Sequence, residues 1–301
     1  MSTALVFTRF GGPETQEFLD RELPPPGPSE IAIDVRAAGV NPADSKIRAG
    51  QMGDHWRLPA PMGREAAGTV TAVGVDVEGI AIGDEVVGLA AKGHGTFADH
   101  ALLNAEQTVL KPQELTFAEA AALPVAGATA YDATHQIDVE PAGTVVILGA
   151  GGGVGLLAAQ IGAARRWTVI GVASAAKQEV VESTGAAFVE SGQGAATRVR
   201  AVAPEGADLL IDLVGGQVLR EIAEVVKDPR TIVTTADPDT AEQLGGAGVR
   251  RTPDGLEKII GAAQNGVVAP HISRRFPLAD AQDAIAAVEG GHTTGKVVLE
   301  P

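Results

Sequence analysis

The chain of 301 residues contains no cysteine. That single absence excludes disulfides, a thiolate nucleophile and a thiolate-held metal. Aromatic residues amount to 3%, with one tyrosine, Tyr131, which is read as packed in a helix rather than as an acid. No apolar run reaches membrane-spanning length, and the first residues lack a basic-then-apolar signal pattern. The expectation is a cytoplasmic protein. Cations are the scarcer charge, 23 Lys and Arg against 38 Asp and Glu, for a net charge of −15. Such a balance disfavours nucleic acid or an anionic membrane as the main partner. It leaves an anionic cofactor open, because a few local positive groups suffice for one.

Aliphatic residues and turn formers are plentiful. The apolar fraction is 45%, and the chain has 38 glycines and 18 prolines. A length of 301 residues favours two domains over one. The first part alternates short strands, at Thr3–Phe7, Glu30–Val35, Gly68–Val73 and Glu85–Gly88, with turns rich in Gly and Pro. From Thr144 onward, strands at 145–148, 168–172, 208–213 and 231–235 alternate with helices at about 154–165, 176–184, 195–203 and 216–226. This alternation predicts an α/β fold with a doubly wound parallel sheet. The tail from His292 to Glu300 reads as a lone strand that returns to the β-rich lobe.

The most informative stretch runs from Val145 through Leu148 into Gly149-Ala150-Gly151-Gly152-Gly153-Val154-Gly155. Four consecutive aliphatic residues suit a strand covered on both faces. The turn that follows calls for glycine where backbone approaches a pyrophosphate, and the helix behind it presents unpaired N–H groups. A second strand at Thr168 supplies the βαβ context that a glycine run alone lacks. The glycines at 149, 152 and 155 depart from strict G-x-G-x-x-G spacing. The alternative is a tight strand–helix turn without a ligand.

Taken in order, the segments Gly11-Gly12-Pro13-Glu14, Ala38-Gly39-Val40-Asn41-Pro42-Ala43-Asp44, Gly63-Arg64-Glu65-Ala66-Ala67-Gly68, Gly95-Thr96-Phe97-Ala98, Ala122-Leu123-Pro124, the glycine-rich turn and Gly295-Lys296-Val297-Val298 carry a resemblance. The chain resembles the medium-chain dehydrogenase/reductase superfamily, in its zinc-independent NADPH:quinone oxidoreductase branch. The resemblance spans nearly the whole chain. It implies a Rossmann domain at 123–267 and a GroES-like catalytic lobe at 1–122 completed by 268–301, with the active site in the cleft.

Zinc-dependent relatives hold the metal through cysteine and histidine at positions that correspond here to Asn41 and Arg64, and neither an amide nor a guanidinium replaces those ligands. No metal is expected. Arg64 is read first as a structural hydrogen-bonder, with contact to a substrate oxygen as the alternative. The resemblance places Ala173 at the end of the second strand, where NAD enzymes normally carry a carboxylate. Ser174 and Lys177 follow it, which favours NADPH. Ser191 stands where related reductases often add a tyrosine. The cofactor set is therefore Gly149, Gly152, Gly153, Val154, Gly155, Ser174, Lys177, Ser191, Thr235 and Lys296.

By the same resemblance, Asn41, Asp44 and Lys46 line the nicotinamide side of the cleft. Lys46, where many relatives carry tyrosine, either stabilises an enolate or pairs with Asp44. Thr129 reaches the nicotinamide carboxamide or caps a helix. His55, Trp56 and His94 lie on loops that border the pocket. The implied activity is hydride transfer from NADPH to quinones or α,β-unsaturated carbonyls. The rivals are an enoyl-thioester reductase of the same superfamily and a non-catalytic NADPH-binding protein. A homodimer joined at the sheet edge near Thr231–Thr235 is expected.

Overall fold

The structure is a computed structural model that describes residues 2–301 in two compact units. The first comprises residues 2–125 with Ile272–Pro301, and the second Ala126–His271. The first unit is built on a six-stranded sheet in the order Ile272–Pro277, Lys296–Glu300, Glu30–Val40, Glu65–Val73, Glu85–Ala90 and His100–Leu110. Glu30–Val40 also pairs with His100–Leu110, so four of these strands close into a barrel. The C-terminal strand pairs antiparallel with Glu30–Val40, Val297 facing Val40 and Leu299 facing Ala38.

A smaller sheet of Gln16–Arg21, Ser2–Phe7 and Ala60–Pro61 lies in the same unit. Leu5, Phe7, Ile31, Ile33, Phe97 and Leu103 form its core together with Ile285 and Leu299 from the other end of the chain. The 11-residue strand Glu30–Val40 continues five residues beyond the alternation visible in the sequence. Two register shifts let it bend around the barrel, between Ala32 and Ile33 and between Val35 and Ala37. Pro42 then stops it, and a short helix, Pro42–Arg48, begins there.

The second unit has six parallel strands, Ala187–Glu190, Thr168–Ala173, Thr144–Leu148, Leu209–Asp212, Ile232–Thr234 and Ala247–Gly248, in that spatial order. The chain starts in the middle, winds outward on one side and then on the other, which is the doubly wound α/β order. Val146, Leu148, Ile170, Val172, Leu210 and Ile232 are sealed beneath Val199, Leu219 and Ile222 of the covering helices. One expectation needs correction. The strand near Thr231–Thr235 is not the sheet edge, because Ala247–Gly248 pairs alongside it. A two-residue strand formed by Ala and Gly carries too little apolar pattern to be read from sequence.

Candidate functional site

In the first unit, three polar residues distant in sequence, Asn41, Glu65 and Lys296, meet below the barrel surface. Gly39 faces Glu65 across paired strands, and a Cβ on Gly39 would sit on the Glu65 carboxylate. The missing side chain leaves room for that carboxylate to lie over the strand. Glu65 is fully buried and accepts from Asn41 Nδ2 at 2.7 Å, Lys296 Nζ at 2.8 Å and the backbone N–H of Val125 at 2.6 Å. Lys296 also donates to Asn41 Oδ1 at 2.7 Å and to the Val40 carbonyl at 3.2 Å. Three acceptors match the three N–H bonds of one ammonium. The buried pair is therefore fully hydrogen-bonded, the condition under which an ion pair survives desolvation.

Asp44 stands in the first turn of Pro42–Arg48. Its Oδ2 accepts from the Asn41 backbone N–H at 2.8 Å, whereas Oδ1 is buried with no hydrogen-bond partner. Burial is the largest influence on this carboxyl and pushes its pKa up to about 7. The Asn41 hydrogen bond and the nearby Arg64 and Lys296 cations oppose that rise, while Glu65 adds to it. Desolvation prevails because the group is sealed, as expected for a carboxyl with so little access to water.

Asp44 lines a cavity of about 450 Å³ whose apolar wall includes Phe7, Ile47 and Met62. Its polar lining includes Arg64, His94 and the loop residues His55, Trp56 and Arg57. The Trp56 Nε1 is buried without a partner. Burial lowers the His94 pKa below the ordinary imidazole value, with Glu30 raising it and Arg21 lowering it further. The Arg64 side chain is half-buried and makes no hydrogen bond among the described residues. The reading of Arg64 as a structural hydrogen-bonder finds no such bond among the described residues, and the residue lines the cavity.

The other candidates of this unit are arranged differently. Asn41 is 4% exposed, and its amide is engaged by Glu65 and Lys296. Lys296 is equally committed to that knot and belongs with Asn41 rather than with the cofactor set's glycines. Lys46 is exposed, and no ion pair joins it to Asp44. Two residues apart on a helix, the two side chains project from nearly opposite faces. Glu65, the centre of the knot, was visible only as part of the Gly63-Arg64-Glu65 motif. Nothing local in the sequence assigns it a partner.

In the second unit, Thr144–Leu148 runs into the glycine-rich turn. Gly149 has φ +88°, a conformation that favours glycine. Gly152 precedes the helix Gly153–Ala164, and a Cβ on Gly155 would press against Ala150 Cα at 2.6 Å. Close packing of helix on turn therefore requires glycine there. The first N–H groups of this 12-residue helix, on Gly153, Val154 and Gly155, have no acceptors within the helix and suit an anion.

Lys177 lies across Gly151, whose missing Cβ makes the space: a Cβ there would collide with the Lys177 Cδ. Desolvation lowers the Lys177 pKa. Ser174 follows Ala173, and Ser191 donates its backbone N–H to the Ala173 carbonyl at 2.7 Å. The two serines thereby stand at the ends of neighbouring parallel strands. Thr235 donates its backbone N–H to Asp212 at 2.9 Å, at the same end of the sheet. Thr129 is buried in the interior of the helix Ala126–His135, so it does not cap it.

A tetrahedral zinc needs neutral imidazole, thiolate or carboxylate ligands with room for the ion. The positions in question hold an amide already bonded to an ammonium and a free guanidinium. Among the described residues no group of three or more His, Asp or Glu side chains is arranged for a metal. The residues present do not fit zinc.

Two family models match the chain, an alcohol dehydrogenase GroES-like domain over residues 27–113 and a zinc-binding dehydrogenase over 177–299. A chloroplast envelope quinone oxidoreductase homolog of Arabidopsis thaliana is 30% identical, with 99% of this chain and 98% of that protein covered. A 2-methylene-furan-3-one reductase of Solanum lycopersicum is 30% identical over 90% of this chain and 72% of its own. The crystal structure of Escherichia coli quinone oxidoreductase complexed with NADPH superposes with a TM-score of 0.89 at 25% identity, covering 99% of this chain and 100% of that one. With its closed β-barrel unit, its doubly wound unit and full-length similarity to such enzymes, the chain belongs to the medium-chain dehydrogenase/reductase superfamily of oxidoreductases, in the quinone oxidoreductase branch.

Proposed function

We propose that the chain is an NADPH-dependent, zinc-independent reductase acting on quinones or α,β-unsaturated carbonyls. The observation that carries this reading is Asp44, a sealed carboxyl with an unpaired Oδ1 on the wall of an apolar cavity. A carboxyl protonated near neutrality and lacking an internal acceptor is suited to deliver a proton. The quinone and furanone reductases among its relatives catalyse reductions of this class, and the E. coli relative binds NADPH.

Bound NADPH would supply the hydride. The N–H groups of Gly153, Val154 and Gly155 would hold its pyrophosphate, and Ser174, Lys177 and Ser191 its 2′-phosphate. No carboxylate stands between Ala173 and Lys177 to repel that phosphate. The unpartnered Trp56 N–H would present a donor to the substrate's carbonyl oxygen, lowering the cost of charge that develops there, while Arg64 adds a cation to the same cavity. Hydride supplied to the electron-poor carbon of the conjugated system would move an electron pair to the carbonyl oxygen. Asp44 then gives its proton to the resulting enolate and recovers one from water. Asn41 and Lys296 act on Asp44 from behind, fixing its orientation and charge. We assign the assembly as a two-fold homodimer joined at the exposed sheet edge, now Ala247–Gly248.

Oxidation of NADPH with a quinone, an enal, a simple alcohol and a crotonyl thioester tests the reading. Turnover of the first two without added metal is expected. Activity with the thioester alone would move the assignment to enoyl-thioester reduction, and binding of NADPH without any turnover would leave a non-catalytic protein.

A further inference from the structure

We propose that the substrate carries a carboxylate in addition to its polarised carbonyl, and that Arg64 binds this carboxylate at the wall of the first unit's cavity. The inference rests on the reductase reading above and names the chemical class within it.

The charge of the lining is the first observation. In a chain of net charge −15, the cavity is lined by three permanent cations, Arg57, Arg64 and Lys92. Asp44 is its one acid, and burial keeps that group protonated up to about pH 7. The local sign is thus opposite to that of the whole molecule, an arrangement that concentrates anions at the opening. Arg57 and Lys92 are exposed and sit at the rim, whereas Arg64 is half-buried.

The second observation is how this unit treats its buried cations. Arg48 pairs with Glu289 at 2.7 Å, Lys111 with Glu85 at 3.0 Å and Lys296 with Glu65 at 2.8 Å. Each of the three has a carboxylate. Arg64 makes no ion pair and no side-chain hydrogen bond among the described residues, and the one acid it acts on, Asp44, is the carboxyl that burial keeps protonated. A partly desolvated guanidinium without a partner is unfavourable. Its planar fork matches the two oxygens of a carboxylate better than a single carbonyl oxygen. The buried, unpartnered Trp56 N–H offers one more donor in the same cavity. With Asp44 available for proton delivery, the donor set exceeds what one neutral carbonyl accepts.

A matched pair of probes separates the charge from the rest of the substrate: 4-oxo-4-phenylbut-2-enoate and its methyl ester share one enone. Each is titrated into the protein with and without NADP⁺, and each is assayed for NADPH oxidation. The acid is expected to bind roughly 10- to 100-fold more tightly than the ester, the range of one charge-assisted contact. Arg64→Gln should abolish the preference, and Arg64→Lys should keep part of it. Equal binding of acid and ester by the unaltered protein overturns the inference, as does a preference that survives in Arg64→Gln. If neither compound is reduced while the acid still binds preferentially, the reductase reading fails and the carboxylate site stands.

Discussion

The Lys296 ammonium and the Glu65 carboxylate meet at 2.8 Å although 231 positions separate them in the chain. Both are sealed from solvent, at 4% and 0% exposure. The contact ties the last strand to the barrel and places an ammonium beside Asn41. A buried pair of this kind contributes little compared with a well-packed apolar pair, yet removing one partner is costly.

Lys296→Met should therefore destabilise the protein by about 3–5 kcal/mol, the cost of leaving a buried carboxylate unpaired. The double variant Glu65→Gln with Lys296→Met should recover part of that loss. Urea denaturation of the parent, Lys296→Met, Glu65→Gln and the double variant measures these values. Additive effects of the two single changes would show that the residues do not act as a pair.

Turnover should fall as pH rises through about 7, where Asp44 loses its proton. Asp44→Asn should lower turnover by roughly 10²-fold or more and flatten that limb of the profile. The stability effect has the same direction. Because the folded pKa is raised, the unfolded chain releases this proton first, so its contribution is full below about pH 4 and is lost as pH rises through about 7. Over that window it amounts to about 4 kcal/mol. Asp44→Asn should thus gain stability relative to the parent protein above pH 7, read from thermal midpoints at pH 5 and pH 8.5. Lys46→Ala, on the exposed face of the same helix, should leave turnover near its original value.

Calorimetric titration should show NADPH binding more tightly than NADH. Lys177→Ala should remove most of the difference, about 1.5–3 kcal/mol for one charge-assisted phosphate contact. Equal affinities in the unaltered protein would remove the basis for the 2′-phosphate site at Ser174, Lys177 and Ser191.

Elemental analysis should find no stoichiometric zinc, and EDTA should leave turnover intact. Loss of activity on chelation, restored by zinc, would contradict the account of Asn41 and Arg64.

Much of the second unit was legible from its sequence. A strand, a glycine-rich turn and a helix are contiguous, and their hydrogen bonds and apolar faces depend on neighbours a few residues away. The same locality made Ser174 and Lys177 readable at the end of a strand, and the absence of cysteine ruled out thiolate chemistry before any fold was known. The long strand His100–Leu110 escaped because Asn104, Glu106 and Gln107 interrupt its apolar pattern. Its place is set by pairing with Glu30–Val40, some 70 residues earlier.

The chemistry of the first unit was decided by the tertiary structure. Asn41 and Lys46 read as equivalent donors on one loop, yet one is locked to Glu65 and Lys296 and the other faces outward. Arg64 read as a structural arginine, and only its place on the cavity wall, with no side-chain hydrogen bond among the described residues, marks it as a cation of the site. Asp44 is an ordinary carboxyl by composition, and its proton is held by burial beneath residues from distant strands. Sequence specifies which groups are present and their local backbone. Desolvation and charge pairing depend on what long-range packing brings within a few ångströms, so the state of each group is a property of the folded chain.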